Sequence, residues 1–199
     1  MRALCLLFLL FLAVAGCDRQ PAIGPLTAGD RILAFGDSLT HGTGASPEQS
    51  YPAVLEQLLG NEVINAGIPG ETTAEGLKRL PRLLDRIRPR LVVLIHGGND
   101  FLRRLDPQET RANLQAMIDL CRERGADVVL MGVPRPGLFL SAAPLYEELA
   151  KHNHLPLLED TLSGILADRS LKSDAIHPNA TGYRLLARKL AERIRGARN

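Results

Sequence analysis

The chain has 199 residues, room for one domain of ordinary size and too little for two. Hydrophobic residues make up 45% and charged residues 23%, a balance that excludes an intrinsically disordered chain. The 24 Lys and Arg stand against 22 Asp and Glu, and with no dense basic stretch there is no footprint for nucleic acid.

The run from Leu4 to Val14 follows Arg2 and is apolar, but it is about half the length that a membrane-crossing helix needs. It reads as the central region of a signal peptide. Ala13-Val14-Ala15 offers an ordinary cleavage site, while Val14-Ala15-Gly16-Cys17 resembles a bacterial lipobox. The second is favoured, because small residues directly before a cysteine are what lipoprotein processing requires. Residues 1–16 are then the signal, Cys17 carries a lipid anchor at the periplasmic side of the cell envelope, and 17–30 forms a tether. The segment from Asp18 to Asp30 holds Pro21, Gly24, Pro25 and Gly29 without apolar periodicity, which predicts a linker long enough for the domain to approach a bilayer. Ordinary cleavage would instead leave a soluble periplasmic protein.

The domain is expected over 31–199. Short apolar runs at Ile32 to Phe35, Val63 to Ala66, Leu91 to Ile95, Val128 to Met131 and Leu155 to Leu158 read as strands. Helical patterns lie between them. Thr72 and Asp106 each offer an N-cap with an acid three residues on, and Pro107 suits a first helical position. Gly125 is placed to close the second of these helices. Leu114, Met117, Ile118 and Cys121 share a helical face, so Cys121 is expected as a small buried hydrophobe. With Cys5 lost and Cys17 acylated, no internal disulfide is available. Leu185, Leu186, Leu190 and Ile194 mark a last amphipathic helix. Alternating strands and helices with nearly continuous aliphatic strands predict a parallel sheet covered on both faces, an α/β doubly wound sandwich.

In such a sheet, ligands bind beyond the carboxyl ends of the strands. The first strand runs into Gly36-Asp37-Ser38-Leu39, which puts a serine at a helix start, although a serine there is more often only a cap. The second ends before Gly70, whose N–H can approach a substrate oxygen or serve a tight turn. The third ends in Gly97-Gly98-Asn99-Asp100, where Asn99 either projects over the sheet edge or forms a turn. Near the C-terminus, Asp174-Ala175-Ile176-His177-Pro178 can place a carboxylate on one ring nitrogen of a histidine and present the other outward. Alone, that pair suits a surface salt bridge better.

Taken together and in this order, Gly-Asp-Ser-Leu, Gly70, Gly-Gly-Asn-Asp and Asp-x-x-His-Pro resemble the GDSL, or SGNH, hydrolase family, in particular its bacterial thioesterase, lysophospholipase and arylesterase branch. The resemblance implies a flavodoxin-like three-layer α/β/α sandwich with a five-stranded parallel sheet. It also implies a triad of Ser38, Asp174 and His177, an oxyanion hole formed by Ser38 N–H, Gly70 N–H and the Asn99 side chain, and no metal or other cofactor. His152 and His154 are off-phase for a shared ligand site, and with His41 and His96 they make no convincing metal set.

The expected partners are small acyl esters or thioesters, met by a monomer. Phe101 and Leu102 after the third strand, and Val133 and Phe139 after the fourth, are candidate substrate contacts, with plain surface packing as the alternative. Phe101 stands where that branch carries a small residue, which would narrow or cap an acyl groove. Aromatic residues make up 4% and tryptophan is absent, which favours acyl esters over glycans. A carbohydrate O-acetyl esterase and a noncatalytic envelope lipoprotein are the alternatives.

Overall fold

The computed structural model describes residues 23–135 and 140–197. Cys17, the signal region and Phe139 lie outside them. Strands β1 (Ile32–Gly36), β3 (Leu91–Ile95) and β4 (Asp127–Met131) consist almost wholly of buried aliphatic residues, as a strand covered on both faces must. With β2 (Val63–Gly67) and β5 (Leu157–Leu158) they form a parallel sheet in the order β2-β1-β3-β4-β5. Ile32 pairs with both Val63 and Leu91, so β1 lies between β2 and β3 and the chain changes direction on either side of it. That switch opens a crevice between the carboxyl ends of β1 and β3.

Helices cover both faces. Among the described residues these are α1 (Ser38–His41), α2 (Tyr51–Leu59), α3 (Thr73–Ile87), α4 (Gly98–Leu102), α5 (Pro107–Glu123), α6 (Pro144–Asn153), α7 (Thr161–Ala167) and α8 (Ala180–Gly196). One layer packs α2 and α7 against α8, and the other packs α3 and α6 against α5. Helix α3 starts as its sequence requires: Thr72 N–H donates to Glu75 Oε2 at 2.8 Å, and Thr72 Oγ1 accepts from Glu75 N–H at 3.4 Å. Asp106 caps α5 by accepting from Gln108 N–H at 2.9 Å, with Pro107 in the first turn. Leu114, Met117, Ile118 and Cys121 turn inward from α5, and burial pushes the Cys121 thiol up to about 12. Gly125 follows that helix with φ +73°. Among the described residues, no helix is long and apolar enough to cross a membrane.

Two expectations need correction. The fifth strand is shorter than Leu155 to Leu158, because His154 turns left-handed at φ +49° and Pro156 has no N–H to give a ladder; only Leu157 and Leu158 pair with β4. The linker is also shorter than 17–30. Ile23 and Leu26 are buried in the core, Ile23 N–H donates to Ala197 O at 2.6 Å, Gly24 N–H donates to Asp127 Oδ2 at 2.8 Å, and Asn61 Nδ2 donates to Thr27 O at 2.6 Å. Residues 23–30 are therefore a strap across the edge where the strands begin. Proline and glycine removed any period from it, but two apolar side chains suffice to dock it.

Candidate active site

Beyond β1 the chain turns sharply into α1. The Asp37 carboxylate accepts from Leu39 N–H at 3.0 Å and caps this short helix, so Ser38 occupies its first position with an N–H that no helical carbonyl can reach. Asp37 is 1% exposed, and burial raises its pKa above the ordinary value against the opposing pull of His96 and the Leu39 N–H.

His177 reaches Ser38 from the other end of the sequence. Its Nε2 lies 3.0 Å from Ser38 Oγ, and its Nδ1 lies 2.8 Å from Asp174 Oδ2. A carboxylate can only accept, so Nδ1 carries the proton and Nε2 is left to accept from the serine hydroxyl. The loop is self-bracing: Asp174 Oδ1 accepts from the N–H groups of Ile176 and His177, each at 2.8 Å, and Ser173 N–H donates to His177 O. Partial burial pushes the Asp174 carboxyl up, but the hydrogen bonds from His177 and the two backbone N–H groups outweigh it and hold its pKa below the usual range. Gly44, at φ +100°, lets the segment after α1 press on this loop, since a Cβ there would collide with Ser173 Oγ and Pro178 O.

The opposite side of the serine is partly buried. Asn99 sits in the first turn of α4, behind Gly97 at φ +110°, and its Nδ2 donates to Glu71 O at 3.0 Å while lying 3.4 Å from Asp37 Oδ2. Gly70 adopts φ +80° in a turn closed by Glu71 N–H donating to Ile68 O, and Arg103 Nη2 donates to Gly70 O at 2.7 Å. Asp100 is buried and accepts from Thr73 N–H at 2.9 Å and Thr73 Oγ1 at 2.5 Å, which fastens α4 to the start of α3.

An apolar cleft of about 330 Å³ opens in front of Ser38 and His177. Leu102 and Val133 line it as the sequence suggests. Phe101 does not: it is 8% exposed and stacks edge-on against Tyr146 beneath α4, because adjacent positions of a helix point to different faces. Gly70 does not line the cleft. Leu140, Leu162, Leu166 and Ile176 complete the lining and were not identifiable from sequence, since nothing in a local pattern tells which aliphatic residues of distant loops converge. His41, His152 and His154 are exposed, whereas His96 is fully buried against Glu71. Glu71, Arg79 and His96 form a polar cluster behind the site that sequence reasoning passed over; its visible signal was one acid, Glu71, and one histidine, His96, each placed beside a glycine after a strand.

A serine held by an oriented imidazole at the switch point of a flavodoxin-like parallel sheet defines a class of serine ester hydrolases. The chain belongs to the GDSL-like lipase/acylhydrolase family, whose pattern it matches over residues 34–185. It is 34% identical over 178 residues to an arylesterase of Vibrio mimicus, covering 84% of this chain and 89% of that one. It is 33% identical over 175 residues to the thioesterase 1/protease 1/lysophospholipase L1 of Escherichia coli K12, covering 84% of each. The crystal structure of TesA, at 30% identity, superposes with a TM-score of 0.72 over 84% of this chain and 97% of that one.

Proposed function

We propose that the protein hydrolyses carboxylic esters or thioesters of apolar acyl groups through an acyl-enzyme on Ser38. The observation that carries this reading is the unbroken line from Asp174 Oδ2 through the His177 ring to Ser38 Oγ, at 2.8 and 3.0 Å, on the floor of an apolar cleft. Ser38 Oγ attacks the carbonyl carbon as its proton passes to His177 Nε2, and Asp174 stabilises the resulting imidazolium. The oxyanion gathers the Ser38 N–H, the Asn99 amide and the Gly70 N–H. His177 returns the proton to the departing alcohol or thiol. Water, deprotonated by the same nitrogen, then attacks the acyl-enzyme and releases the acid and free Ser38.

Aliphatic side chains of Leu102, Val133, Leu140, Leu162 and Ile176 suit an acyl chain better than a sugar. Ser38→Ala should fold, still bind substrate, and lose turnover on p-nitrophenyl esters by a factor on the order of 10⁶. Near-parental turnover in that variant sinks the assignment. A profile over acyl lengths, set against acetylated sugars, distinguishes an acyl esterase from a carbohydrate O-acetyl esterase.

The lipid on Cys17 is part of the same proposal, with a revised geometry. Only residues 18–22 separate Cys17 from the docked Ile23, and six residue steps reach about 20 Å at most. The strap lies where the strands begin, while Ser38, Asn99 and His177 lie beyond where they end. A chain anchored this way turns its cleft away from the anchoring membrane, so its substrates arrive from the aqueous side.

A further inference from the structure

We infer that Glu71 is a positioning residue that holds an oxyanion donor in place, acting through Asn99 and anchored by its ion pair with Arg79 and a hydrogen bond from His96. The inference rests on the proposed roles of Ser38 and Asn99. Glu71 is 6% exposed, and its two ends do different things. Its backbone carbonyl accepts from Asn99 Nδ2 at 3.0 Å. A carboxamide nitrogen has two hydrogens, so this bond fixes which way the amide faces and directs the second hydrogen elsewhere. Among the described residues, the other acceptor that Asn99 Nδ2 meets is Asp37 Oδ2 at 3.4 Å, too long to compete with an oxyanion.

The carboxylate end supplies the anchorage. Arg79 grips it with Nε at 2.5 Å and Nη2 at 2.6 Å, a two-toothed pairing that fixes orientation as well as distance. His96 adds a third bond, its Nε2 lying 3.1 Å from Glu71 Oε2. Gly97 N–H donates to His96 Nδ1 at 3.1 Å, so that nitrogen is the acceptor and Nε2 carries the proton given to Glu71. Burial raises the Glu71 pKa, but His96 and Arg79 together bring it below the ordinary value, so the side chain acts as a carboxylate.

The same guanidinium ties the cluster to the sheet. Arg79 Nη2 donates to Ala66 O at 2.8 Å and to Gly36 O at 3.3 Å, and its carbon lies 4.2 Å above the centre of the Phe35 ring. Gly36 is two residues before Ser38, Ala66 ends the approach to Gly70, and His96 is three residues before Asn99. The strand ends that precede Ser38, Gly70 and Asn99 therefore meet at one cluster, and the carbonyl that orients the Asn99 amide belongs to the residue this cluster anchors.

Glu71→Gln keeps the shape and removes the charge. Measured on a soluble p-nitrophenyl ester, with competent protein counted by stoichiometric labelling of Ser38, it should lower kcat by roughly 10²-fold and leave KM nearly unchanged, as expected for a donor displaced by about an ångström. The deciding measurement is a cycle with Asn99→Ala. If Glu71 works through Asn99, the Glu71→Gln loss shrinks at least several-fold once Asn99 is already alanine; fully multiplicative losses overturn the inference. His96→Gln, a milder change, should show the same shrinkage, and keeps the test open if Glu71→Gln fails to fold. If Asn99→Ala by itself leaves kcat unaltered, the oxyanion reading beneath has failed, and the inference falls with it.

Discussion

The loop bearing Asp174 and His177 lies partly in solvent and is held by hydrogen bonds between residues two to four apart, with the Asp174 side chain 52% exposed. Across the cleft, Asn99 is set by a buried cluster whose bonds join residues 8 to 43 apart. The first orients His177 on Ser38, and the second sets the Asn99 amide in the wall of the same cleft. They differ in what holds them: a turn that satisfies its own donors is a local device, whereas the donor side exists only when three strands have paired. A change in the loop should therefore act on proton transfer and spare the fold, while a change in the cluster should act on both.

The largest effect tests whether the loop works as a unit with the nucleophile. His177→Ala should lose turnover on the order of 10⁶-fold, and the double variant with Ser38→Ala should be little worse than either single one; multiplicative losses would separate the two residues into different steps. Next comes Asp174→Asn, expected to cost about 10⁴-fold in kcat because an amide can donate to Nδ1 and favour the wrong tautomer. The same variant carries a stability signature. The folded Asp174 carboxyl titrates below its unfolded value, so its contribution is present above the ordinary aspartate pKa and is lost as the pH falls through the lower folded value. Urea unfolding of parent and variant should differ near neutral pH and converge in acid.

On the buried side, Asn99→Ala should lower kcat by ~10²- to 10³-fold with little change in KM. A rise in KM with unchanged kcat would make Asn99 a substrate contact and erase the contrast between the two regions. The smallest effect belongs to a position outside both. Cys17→Ser should release the protein from membranes and leave turnover on soluble esters unaltered; intact-mass analysis of the native chain, starting at Gly16 without lipid, would refute the anchor and leave the esterase proposal standing.

Much of the fold was legible because its cause is repetitive. The runs at Ile32, Leu91 and Val128 are buried on both faces and say so by lacking polar alternation. Thr72 and Asp106 announce helices through side chains that satisfy backbone groups two or three residues away. Where no repetition exists, the sequence gives no signal: the strap at 23–30 buries only the isolated apolar pair Ile23 and Leu26 and is otherwise held by hydrogen bonds to distant residues, and α4 is only one turn long, too short for its pattern to tell that Phe101 faces the core.

The sequence by itself determined the first four strands, the caps, the order of the chemistry-bearing turns and the Asp174–His177 pair, because each depends on neighbours within a few residues. Tertiary structure decided the 3.0 Å approach of His177 to Ser38 across 139 positions, the aliphatic wall of Leu140, Leu162, Leu166 and Ile176, and the gathering of Glu71, Arg79 and His96 behind Asn99. The physical reason is that a buried charge needs its partners at fixed distances in a dry interior, and only the packed sheet supplies both the dryness and the distances.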